Sequence, residues 1–88
     1  MSQEILDVGK SVLIRTVTMA HVGRVVSIDG EFICLEDGGW VADTGRFSQM
    51  LSEGSLFEFE RSPGRFLVAK GGLIDVWPWA HELPKKTI

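Results

Sequence analysis

Residues 22–35 constrain the fold more than any other stretch, because two apolar runs flank the dipeptide Asp29-Gly30. Asp-Gly is a strong hairpin signal, since both positions tolerate the positive φ that a type I′ turn requires. A two-residue turn sets Ile28 opposite Glu31 and Ser27 opposite Phe32. One face then carries Val22, Val26, Ile28, Ile33 and Leu35, and the other carries Val25, Phe32 and Cys34. The preceding run, residues 10–18, is dense in β-branched residues and equally two-sided, with Val12 and Ile14 on one side and Leu13 and Val17 on the other. Strands apolar on both faces need cover on both sides. Either the sheet closes into a barrel or a second copy supplies the missing layer. Self-association, with crevices shared between subunits, is the expectation.

Turn signals recur along the rest of the chain at the spacing of a β-rich fold. Glu36-Asp37-Gly38-Gly39 ends the third strand. Phe47, Met50 and Leu51 fall at i, i+3 and i+4, which predicts a short helix near residues 45–53. Asp43 or Thr44 is placed to cap its start and Gly54 to end it. Residues 56–60 alternate, so Phe57 and Phe59 are expected to point inward. Ser62-Pro63-Gly64 reads as a turn. Residues 66–70 and 73–77 complete the strands, with Gly71-Gly72 between them and Pro78 stopping the last. The expected class is α+β, mostly antiparallel β, with five to six strands, one short helix and barrel-like closure as an alternative. A single domain spans residues 1–88, with an N-terminal arm (1–9), a β-rich core (10–79) and an extended tail (80–88).

Nine basic residues against twelve acidic ones give a net charge of −3. Nucleic-acid binders gather Lys and Arg into a patch. Here Arg15, Arg24, Arg46, Arg61 and Arg65 are scattered, so DNA and RNA are disfavoured as partners. No apolar run reaches the ~18 residues of a membrane span. The acids Glu4 and Asp7 argue against a secretion signal. The lone Cys34 cannot form an internal disulfide, which fits a reducing cytoplasm and a small buried side chain.

Chemistry-bearing constellations are few. His21 and His81 stand sixty positions apart and no Cys or His cluster has ligand spacing, so no metal and no cofactor are expected. The pairs His21 with Ser27 and Asp75 with His81 lie on no recognised elbow, and the expectation is a non-catalytic protein. Residues 40–48 are the most informative. Arg46 can fork onto a phosphate, Trp40 can stack a planar base, and Thr44 and Ser48 add hydroxyls beside helix-start amides. The competing account is that Asp43 and Thr44 cap the helix, Trp40 is core and Arg46 is solvated. Arg15 lies between Leu13 and Val17 as Asp75 lies between Leu73 and Trp77, and charges on apolar faces are usually paired. They are expected to form a buried bridge, the alternative being that Arg15 points into a cleft for an anion. Trp77-Pro78-Trp79 reads as core edge or subunit contact, where Trp is enriched, rather than as a base-stacking platform.

The run Val12-Leu13-Ile14-Arg15-Thr16, followed by Gly23, Leu35, Trp40, the helix Ser48-Gln49-Met50-Leu51 and Gly54, resembles a family of small phage and prophage proteins of unknown function. The resemblance covers residues 10–79. It brings no catalytic residue. It implies a bacteriophage protein in the cytoplasm of an infected bacterial host, of the counter-defence kind. Such a protein would evade immunity by sequestering a nucleotide-derived signal, a cyclic dinucleotide or cyclic ADP-ribose derivative, between subunits. Arg15, Trp40, Thr44, Arg46 and Ser48 are the binding residues this implies. The alternatives are an inhibitor or adaptor that binds a host defence protein through Trp77 and Trp79, and a minor virion component.

Overall fold

A computed structural model describes residues 5–88. Of the expected N-terminal arm, residues 1–4 lie outside the described residues. The elements are β1 (Ser11–Thr16), β2 (Ala20–Ile28), β3 (Phe32–Asp43), α1 (Phe47–Glu53), β4 (Glu58–Arg61), β5 (Phe66–Ala69), a 3₁₀ turn (Lys70–Gly72) and β6 (Leu73–Pro78). All pairings are antiparallel. The six strands run β4-β3-β2-β1-β6, with β5 on β3 as well, and the sheet is not closed. The fold is α+β and mostly antiparallel β.

β3 organises the sheet. Its first part, Phe32 to Leu35, pairs with β5, and Gly39 to Asp43 pairs with β4. Between them Asp37 takes a φ of 55°, and the ladder to β2 shifts register between Val22 and Arg24 and again between Val25 and Ser27. Each shift is a bulge, which adds one unpaired residue and strengthens the local twist. Val22 and Val41 therefore face one core, with Leu13, Met50, Phe59 and Trp79. Val25, Ile33 and Leu35 face a second core, with Val12, Ile14 and Val68. The helix covers the first core through Met50. Residues from β5 and β6, at opposite ends of the sheet, meet in the second, so the sheet curls around it.

Each side thereby buries a core within one chain, while Val17, Phe32, Leu67 and Ile74 stay exposed. Val12, Leu13 and Ile14, successive residues pointing to opposite faces, are all fully buried. At these three positions the chain's own residues supply the cover that the sequence reading looked for in a second copy.

The hairpin register also differs from expectation. Ile28 opposes Ile33, Ser27 opposes Cys34 and Val25 opposes Leu35. The loop is Asp29 to Glu31, closed by Asp29 N–H donating to Phe32 O at 3.0 Å. Asp29 Oδ1 accepts the amides of Glu31 (2.7 Å) and Phe32 (2.8 Å), so the side chain satisfies donors that a tighter turn would have used in the ladder. The wider loop and the bulges put Val25, not Val26, in the core.

Gly54 ends α1 in the left-handed conformation, φ 74°, as the pattern predicts. Neither Asp43 nor Thr44 caps the start. Asp43 Oδ1 accepts the Gly45 amide and Thr44 Oγ1 donates to Gly45 O, so both shape the preceding turn and Arg46 takes the N-cap position. Phe57 precedes β4 and is 64% exposed, its ring lying over Gly45, while Phe59 is buried. The tail folds back: Trp79 and Leu83 pack on the first core and His81 Nε2 donates to Leu51 O at 2.8 Å.

Candidate functional site

The residues singled out from the sequence do not converge. Arg15, on β1, faces Asp75 across the ladder with β6. Its Nε donates to Asp75 Oδ1 at 2.8 Å and its Nη2 to Oδ2, and its guanidinium lies 5.3 Å from the Phe47 ring centroid. The bridge forms as expected, but on the surface, with side chains 44% and 30% exposed. The Arg15 guanidinium, then the Trp77 indole N–H at 2.9 Å, hold the Asp75 carboxyl below its ordinary value, while Asp75 raises the Arg15 pKa. Arg15 also borders none of the three hollows of this surface.

Trp40 points outward from β3, opposite His21 on one side and Glu60 on the other, and is 41% exposed. Thr44 is bonded within its own turn, and Arg46 and Ser48 are exposed. These four line none of the three hollows described below. Trp79 is 4% exposed, its indole N–H donating to Glu82 O at 3.2 Å. This agrees with the core-edge reading: Trp79 is core, and Trp77 is partly buried edge-on to Phe47, so Trp79 is not on an exposed edge. Proline at position 78 does not splay both indoles outward, because β6 ends there and the chain turns Trp79 under the tail.

The site the fold does build lies on the opposite bend of β3. The bulge pushes Asp37 out between Arg24 of β2 and Arg61 of β4, the strands on either side. Arg24 Nη2 pairs with Asp37 Oδ2, and Arg61 Nη2 lies 3.6 Å from Asp37 Oδ1. Glu36 extends the network to Arg24 and Arg65, each at 3.4 Å. Beside it opens a cleft of about 600 Å³, walled by Ser11, Arg24, Asp37 and Arg61 from the sheet and by His81, Glu82, Leu83 and Lys85 from the tail. Two guanidiniums, an ammonium and a hydroxyl thus border one space, with Asp37 and Glu82 as its acids. Two arginines gripping a carboxylate from either side present the donor set that binds phosphate.

Comparison with protein-family models, with curated proteins and with solved structures finds no match. The chemistry must therefore be read from the chain itself.

Arg24 and Arg61 look scattered in the sequence and become neighbours only through the order β2-β3-β4. The available signal was Asp37-Gly38-Gly39, where an acid precedes two glycines that let strands approach closely. A second hollow, about 430 Å³, runs between the β1–β2 loop and β5, lined in part by Thr16, Val17, His21 and Leu67. His21 Nδ1 is buried there with no partner among the described residues, and burial pushes the imidazole below its ordinary value. A third, about 360 Å³, is lined by tail residues alone. Among the described residues, no group of three His, Cys, Asp or Glu side chains is placed to hold a metal ion.

Proposed function

We propose that this is a non-catalytic binding protein that takes a phosphate-bearing, nucleotide-derived small molecule in the Arg24–Asp37–Arg61 cleft. The observation that carries the reading is the pair of guanidiniums converging on one oxyanion position at the mouth of a cleft of about 600 Å³, within the ~300–1,000 Å³ range of ligand pockets. Arg24 and Arg61 bind phosphate oxygens, Lys85 and Ser11 supplement them, and Leu83 offers an apolar wall to the remainder of the ligand. Taken with the phage-family resemblance, the role is sequestration of a host immune signal. The site proposed lies within one chain and uses other residues than Trp40, Thr44, Arg46 and Ser48.

Calorimetric titration with a cyclic dinucleotide, ADP-ribose and inorganic phosphate tests this. Binding of at least one probe, lost in Arg24→Gln and followed by recovery of intact ligand after heating, is the expected result. Absence of binding for all three at millimolar concentration overturns it, and recovery of a cleaved product would make the protein an enzyme.

A second reading, a protein-binding module, draws on the exposed apolar side chains Val17 (75%) and Leu67 (60%), which border the same groove. Leu67→Asp would abolish capture of a protein partner and leave the cleft's ligand affinity unchanged.

A further inference from the structure

Residues 84–88 run beside the outer edge of β4 without forming a regular strand, and meet its backbone at one residue pair. Phe59 N–H donates to Ile88 O at 3.2 Å and Ile88 N–H donates to Phe59 O at 2.8 Å, the reciprocal pair of an antiparallel ladder. Two residues on, Arg61 N–H donates to Thr87 Oγ1 at 3.1 Å, and Arg61 Nη1 donates to Pro84 O at 2.8 Å. Apart from these bonds the segment is mostly in water: Lys85, Lys86, Thr87 and Ile88 are all exposed. Upstream the anchoring is of another kind, with Trp79 and Leu83 packed on the core. A segment held by edge hydrogen bonds and little buried apolar surface belongs to the low-stability end of a structure. Pro84 marks the junction, and it keeps Leu83 extended and gives no N–H to the ladder.

An edge bound through main-chain groups accepts another extended segment of fitting pattern. The segment shown to fit β4 is residues 84–88 themselves, so a second copy carries a matching occupant. We propose that two copies exchange residues 84–88, each laying its segment on the other's β4 edge. Every bond released within a chain is remade between chains, so the exchange needs no new contact, which makes it a low-cost route to a dimer. Lys85 then reaches the cleft from the second copy, and the cleft becomes a site shared by two chains.

The test uses the whole chain at about 10 μM and about 1 mM, the latter high enough to populate a weak association. After incubation at the onset of unfolding, native mass spectrometry should show a species of twice the 9.7 kDa chain mass at the higher concentration. In a mixture of ¹³C-labelled and unlabelled chains, isotope-filtered NOEs should join Phe59 of one to Ile88 of the other. Ile88→Pro, which removes the central N–H, and Thr87→Val, which removes the hydroxyl acceptor, should both lose the dimer. A chain that stays monomeric at both concentrations, or a dimer undiminished in both variants, overturns the proposal. None of these readouts depends on a ligand being bound.

Discussion

Val22 and Gly38 approach so closely across the β2–β3 bulge that no side chain fits between them. A Cβ on Gly38 would overlap the carbonyl oxygen of Val22 and sit 2.6 Å from its carbonyl carbon. Both partners are backbone, so neither can swing aside. This approach sets the bend of β3, which divides the two cores and pushes Asp37 outward.

Gly38→Ala is therefore expected to destabilise the fold by about 3 kcal/mol, at the upper end of overpacking costs. Gly30→Ala is the control: nothing among the described residues lies within 4 Å of its Cβ position, and the change should stay within about 0.5 kcal/mol. Urea unfolding of the two variants separates crowding at the bulge from a general effect of losing glycine.

Met50 is the buried residue of a seven-residue helix too short to persist alone. Met50→Ala removes its packing against the first core and should cost about 2–5 kcal/mol. Amide exchange across residues 47–53 should rise well before global unfolding.

These two sites mark the division between what the sequence discloses and what it conceals. The β-branched run of β1, the Phe47-Met50-Leu51 spacing and the glycine that ends α1 each encode local structure through a period or a backbone conformation. Class and element order follow from them. A bulge inserts one residue with no compositional trace beyond a glycine pair, yet it reverses every side chain beyond it. The faces assigned to β2 were therefore partly wrong, and with them the argument for an uncovered sheet. The cleft was concealed for a related reason, because Arg24, Asp37 and Arg61 meet only through strand order. Trp79 is ambiguous in the sequence: indoles flanking a proline suit a core edge or a subunit contact, and the tail closes over one of them.

Burial holds the His21 imidazole below its ordinary 6.5, so the unfolded chain takes up a proton more readily than the folded one. Stability from neutral His21 is complete above pH 6.5 and is lost as the pH falls from there through the lower folded-state value. His21→Phe keeps a ring against Phe66, 5.8 Å away, and removes the titration. Its unfolding free energy should fall less steeply than the parent's as the pH drops below 6.5, because the lowered folded-state value places the loss there. Equal slopes would show that His21 protonates without cost.

Asp75 titrates in the same direction at lower pH. Its folded-state pKa lies below the ordinary 3.8, first through Arg15 and then through Trp77, so its contribution is present above pH 3.8 and lost as the pH falls through the depressed value. Arg15→Met removes the larger cause. Acid unfolding of that variant should lose the part of its pH dependence that lies below 3.8, with little change at neutral pH because the pair is on the surface.

Asp37 occupies the position that a ligand's phosphate would take, so it competes with the ligand for Arg24 and Arg61. Asp37→Asn keeps the size of the side chain and tolerates the φ of 55° nearly as well as aspartate, while removing the charge. Exposed ion pairs are worth about 0.2–1 kcal/mol, so freeing the two guanidiniums should tighten phosphate binding by a factor of a few and no more. Arg24→Gln should weaken it. The opposite signs matter, because damage to the bend of β3 would lower affinity in both variants. Raising the ionic strength should shrink the difference between them, as screening weakens the charges that both changes alter. Calorimetric titration of both variants with inorganic phosphate at two salt concentrations provides the measurement, and a weaker Asp37→Asn would remove the cleft from consideration as an anion site.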